Sequence, residues 1–194
     1  MVVAVAEEEE EGAPPPTPDP DPDPDPDEPK IECDDDALND LLNELKNLQL
    51  FKDLLKLISN RIGDRWIVIV SGPDSYMYLH PDGYYLIAIS NLQYYIMFEE
   101  IFHVFQNEME NNLYKANREI EAKLAVMSFL KEYGIPYPDE RWREIAQYHS
   151  IAEYESVAYS IALAALRRMG YNSTDYASSP SSFNLDAYNE LFNK

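Results

Sequence analysis

The sequence predicts an α+β fold, on three observations: a leucine-rich helical stretch, a short set of β-branched and aromatic strands divided by turns, and helical periodicity almost to the end. Leu38, Leu41, Leu42, Leu45, Leu48, Phe51, Leu54, Leu55 and Ile58 recur at helical spacing, so one helix is expected from about residue 37 to about 60. Asp34–Asp36 supply its cap and favour its positive end. Strands are expected at Trp66–Val70, Tyr76–His80 and Tyr84–Ser90, divided by Ser71–Ser75 and by Pro81–Gly83. They read as a small antiparallel β-meander. Helices are expected near 92–111, 115–133, 139–148, 151–169 and 185–192. Gly134–Pro138 breaks the series, Gly170 ends the long segment before it, and Ser173–Ser182 reads as a polar loop.

Charge divides the chain in two. The formal charge is −21, of which residues 1–36 carry −14 and the rest −7. The first segment holds a glutamate run, nine prolines and a repeated Asp-Pro from Asp19 to Pro26. Proline blocks helix and ladder bonding, and the aspartates repel one another, so residues 1–36 are expected to be a disordered acidic spacer. Residues 37–194 then form one α+β domain, long enough to bury a real core. This charge repels nucleic acid and anionic lipid, so neither is an expected partner. No run of about 18 apolar residues is present to span a membrane. The single cysteine, Cys33, excludes an intramolecular disulfide.

The residues that point to chemistry lie between Phe98 and Glu121. On a helix, Glu99 and His103 are four apart and share a face, with Glu100 beside the first. Ile101, Phe102, Val104 and Phe105 make the other faces apolar, so the helix is expected to be buried. Two glutamates and a histidine on a buried helix need partners or a cation. Glu119 lies 16 residues past His103, a fitting distance for a helix-turn-helix return, and Glu121 is the alternative, since only one of the two can face the same point.

Residues 84–125 resemble the zincin-like metallopeptidases of the gluzincin type: an edge strand, a His-Glu-x-x-His helix, then a helix whose glutamate stands in a Glu-x-x-Ala setting. The resemblance maps the catalytic glutamate onto Glu100, the second histidine onto His103 and the third ligand onto Glu119, with Ala122 completing the setting. His103-Val-Phe-Gln106 is similar to the His-x-Tyr-Gln ending of some bacterial members. The first histidine maps onto Glu99, where the pattern departs. The resemblance implies a divalent metal, zinc in the parent family, held by Glu99, His103 and Glu119. A second carboxylate hardens the set toward Mn2+, Fe2+ or Ca2+ and weakens activation of a bound water. The expectation is a degenerate metallopeptidase domain with peptide hydrolysis weak or lost and the metal itself dispensable. The alternative is a non-catalytic interaction module that keeps the fold. Either takes a protein or peptide partner. The Asp-Pro spacer resembles linkers of bacterial surface lipoproteins, though Cys33 is on the wrong side of it to be their lipidated cysteine. That likeness implies a surface or secreted location if a signal segment was removed, and a cytoplasmic one otherwise.

Two rivals use the same residues. His103 as a core histidine bonded to Glu99 or Glu119 explains them without a metal. A di-iron bundle shares the Glu-x-x-His of Glu100 and His103, but His80 and His149 have Met77 and Ala146 three residues earlier, so the second copy it needs is missing. Tyr148, His149 and Tyr154 are candidates for stabilising a developing oxyanion.

Overall fold

The computed structural model describes residues 28–110, 112, 114–136, 157–171 and 176–193. The expected helix near 139–148, with Tyr148, His149 and Tyr154, lies outside them, as does the spacer before residue 28.

The chain is α+β, with helices set against a four-stranded mixed sheet. The first helical stretch is two helices, α1 (Asp36–Leu45) and α2 (Gln49–Ile62), where the periodicity alone suggests one. Asp35 caps α1, its Oδ1 accepting from the Leu38 N–H at 2.8 Å. The last turn of α1 tightens, with Asn47 and Leu48 donating three residues back to Glu44 and Leu45, and Leu48 is then extended. The start of α2 has no cap from its own side chains. Instead the Leu50 N–H donates to the hydroxyl of Tyr133, 83 residues downstream.

The strands are β1 (Ile31–Cys33), β2 (Ile67–Ser71), β3 (Tyr76–Leu79) and β4 (Tyr85–Ile89), in the order β1-β2-β4-β3. The expected antiparallel meander is therefore corrected. β3 and β4 form an antiparallel hairpin, but β4 pairs parallel to β2, Ile67 opposite Tyr85 and Val70 opposite Ala88. Burial explains the exchange. Along β4 every residue but Leu86 is buried, whereas Tyr76, Tyr78 and Leu79 of β3 are exposed. The apolar strand takes the interior and the other becomes the edge, as continuous apolar runs do in parallel pairs. The chain reaches that edge by crossing the end of β4, with the Gly72 N–H donating to the Ile89 carbonyl. A Cβ on Gly72 would lie 3.0 Å from that of Ala88, so a larger residue at this crossing would have to push the strand aside. β1 adds Ile31–Cys33 to the sheet, parallel to β2, although those residues stand within the acidic segment assigned to the spacer.

The remaining helices are α3 (Tyr94–Glu108), α4 (Lys115–Glu132), α5 (Val157–Arg168) and α6 (Asp186–Phe192). α3 packs on the sheet, on α2 and on α4, and from Met97 to Gln106 only His103 escapes full burial. Phe98 stacks on Phe129 with ring centroids 4.4 Å apart, tying α3 to α4. Each such side chain contributes about 1.5–3 kcal/mol through burial. α4 ends at Gly134, whose φ of 66° lets the Ile135 N–H return to the Leu130 carbonyl. Among the described residues no helix is long and apolar enough to cross a membrane.

Candidate functional site

α3 is apolar on nearly every face, so its polar residues cannot all reach bulk water. Glu99, Glu100 and His103 instead line a cavity of about 230 Å³, walled by Tyr76 and Met77 of the edge strand and by Arg118 and Glu119 of α4. Glu99 is 6 % and Glu100 8 % exposed. Helical spacing stacks Glu99 under His103, and α4 brings Glu119 across to them. His103 Nε2 lies 4.0 Å from Glu99 Oε1 and 3.8 Å from Glu119 Oε1. One ligand atom from each of the three lies within 4.8 Å of the others, so this trio could hold a metal ion.

Glu121 does not join them. Two residues along a helix is a turn of about 200°, which points it away from Glu119. Its carboxylate accepts from Gln106 Nε2 at 2.7 Å, Asn112 Nδ2 at 2.8 Å and the Tyr188 N–H at the start of α6 at 3.0 Å. Glu121 is fully buried, and burial raises its pKa to about 7 despite these donors. It acts on the site through Gln106.

Gln106 fixes the histidine. Its Nε2 spends both hydrogens, on Glu121 and on the Arg118 carbonyl at 3.1 Å. Its Oε1 therefore faces His103 Nδ1 at 2.7 Å, and Nδ1 must be the donor. Nε2 is left toward Glu99 and Glu119. It offers a lone pair to a cation if the ring is neutral, or a proton to the carboxylates if it is charged.

A fourth residue stands at the same place, one that sequence reasoning passed over. Lys123 follows Glu119 by one helical turn, is 3 % exposed, and pairs its ammonium with Glu99 Oε1. The Tyr171 ring lies 5.2 Å from that ammonium. Burial pulls the Lys123 pKa down, but Glu99, Tyr171 and Glu119 reverse this and hold it well above its ordinary range. Its one signal in the sequence was the Glu119–Lys123 spacing of four, which surface helices share.

Glu100 lines the cavity without joining the trio. Burial, then Glu99 and Glu119, push its pKa up to about 9, and Lys123 only partly opposes them. That shift favours the protonated carboxyl at neutral pH, which donates a proton more readily than it takes one. Arg118 Nη2 donates to Asn107 at 3.1 Å, and its buried Nε has no acceptor among the described residues. The cavity therefore presents carboxyl groups, an imidazole and a guanidinium.

The donors fit a divalent cation in number and kind, two carboxylate oxygens and one imidazole nitrogen. The ion pair between Glu99 and Lys123 does not fit it, because it commits one of those oxygens to an ammonium. Comparisons with protein-family models, with curated proteins and with solved structures found no match to this chain.

Proposed function

We propose that this chain is a degenerate metallopeptidase-like domain that holds an extended peptide and hydrolyses it weakly or not at all. The observation that carries the reading is the meeting of Glu99, His103 and Glu119, with Glu100 beside them, under the edge strand β3. Among the described residues β3 pairs on one side only, with β4. Its other edge offers backbone N–H and C=O groups to a peptide strand lying over the cavity.

Hydrolysis of a peptide bond at such a site needs a water activated by a dication and a base to take its proton. Glu99 supplies a second negative charge where a neutral imidazole would stand, which weakens that activation. Burial, with Glu99 and Glu119 beside it, favours the protonated form of Glu100, which cannot accept a further proton. The test is cleavage of casein by the wild type and by Glu100→Gln, with metal content measured on the same protein. The expected result is background cleavage in both. Stoichiometric zinc with cleavage abolished by Glu100→Gln would overturn it.

A purely adhesive role, with the same fold and no chemistry, is the second reading. It draws on the exposed Tyr76, Tyr78 and Leu79 of β3, between 41 and 45 % exposed, and on Tyr94 at the start of α3. Restoring the histidine and removing the ammonium beside it separates the two: zinc-dependent hydrolysis by Glu99→His/Lys123→Met supports the peptidase scaffold, and its absence supports adhesion. The Asp-Pro segment supports a placement tethered at a cell surface or secreted, which fractionation of the native source would check.

A further inference from the structure

One Glu99 oxygen already has a cation beside it. Glu99 Oε1, the atom 4.0 Å from His103 Nε2, is also the atom that accepts from the Lys123 ammonium. A dication on that oxygen and an ammonium on the same oxygen could stand no more than about 5 Å apart. The ammonium has little room to retreat. Lys123 is 3 % exposed, its stem lies within the α3–α4 interface, and the Tyr171 ring closes over its head.

The two buried charges then explain each other. An imidazole at position 99 could not neutralise a buried ammonium, and a carboxylate does. A carboxylate there without the ammonium would leave an unpaired charge in a buried helix. Glu99 and Lys123 stand or fall together as a buried pair.

We propose that the Lys123 ammonium takes the place of the divalent cation, so that Glu99, His103 and Glu119 form a metal-independent cluster whose negative charge the ammonium offsets. This rests on the reading above only in taking those three residues as the cation's position. What such a cluster can offer a bound peptide is a fixed proton donor and fixed charge, with no Lewis acid.

The experiment is calorimetric titration of the full chain with zinc and with manganese, paired with elemental analysis after dialysis. The proteins are the wild type, Lys123→Met, and the double variant Glu99→His/Lys123→Met. The double variant leaves no carboxylate at position 99 to be unpaired, so it covers the case in which Lys123→Met fails to fold. The expected result is no retained ion in the wild type. One ion per chain should bind the double variant at least about tenfold more tightly, and the gain should vanish when His103→Ala is added. One equivalent of metal retained by the wild type would overturn the proposal, as would a double variant that binds no better than the wild type. Peptide cleavage is not read here, so cleavage by the wild type would count against the hydrolysis reading alone.

Discussion

Gln106 and Glu121, on facing helices and both fully buried, are joined by a 2.7 Å hydrogen bond that sets which nitrogen of His103 carries a proton. The carboxylate accepts from Gln106, Asn112 and the Tyr188 N–H. Glu121→Gln would turn an amide NH2 toward those donors or leave one unpaired. It should lower stability by about 1–3 kcal/mol, read from urea unfolding. It should also release Gln106 and shift the His103 ring resonances in NMR, which a purely local loss would not do.

Removing one half of the Glu99–Lys123 pair should be costly. Lys123→Met leaves a carboxylate at a position 6 % exposed, and a loss of about 3–5 kcal/mol is expected. Glu99→Gln/Lys123→Met removes both charges at similar volume and should recover most of that. The double-mutant cycle over chemical denaturation checks this, and additive losses would refute the coupling.

Stability should fall as pH rises from 5 to 8 through the two buried carboxyls. Folding raises Glu100 to about 9 and Glu121 to about 7, from an ordinary 4.5. Below 4.5 both states hold these protons and neither group penalises the fold. Above it the unfolded chain releases them while the folded chain keeps them, so each group destabilises by up to about 1.4 kcal/mol per pH unit. The Glu121 contribution levels off above about 7 and that of Glu100 above about 9. Urea midpoints of wild type and Glu100→Gln at pH 5 and pH 8 provide the check. The variant should gain on the wild type as pH rises, and parallel profiles would contradict the assignment.

Tyr133→Phe tests the long-range cap of α2. It deletes the hydroxyl that accepts the Leu50 N–H at 3.0 Å, on a helix start with no side-chain cap of its own. A loss of about 0.5–1.5 kcal/mol is expected from thermal unfolding. Amide exchange should speed up at Leu50 first.

Local periodicity carried much of this molecule. It placed α3, α4 and α6 to within about three residues at each end, together with the Asp35 cap and the α+β class. It also put Glu99 and His103 on one face, because a 3.6-residue repeat fixes that from spacing alone. What it could not reach was every feature set by partners distant in sequence. Whether Glu119 or Glu121 meets His103 depends on the rotation of α4 against α3, which the packing of Phe98 on Phe129 helps to fix. Strand order depends on which of β3 and β4 is buried more deeply, and no turn between them records that. Ile31–Cys33 is too short to show a period inside an acidic segment, and only its pairing with β2 makes it a strand. Lys123 looks like an ordinary helical lysine until the tertiary fold buries it against Glu99. Backbone periodicity is a property of neighbours in the chain, whereas the cost of burying a charge is decided by what the fold places beside it.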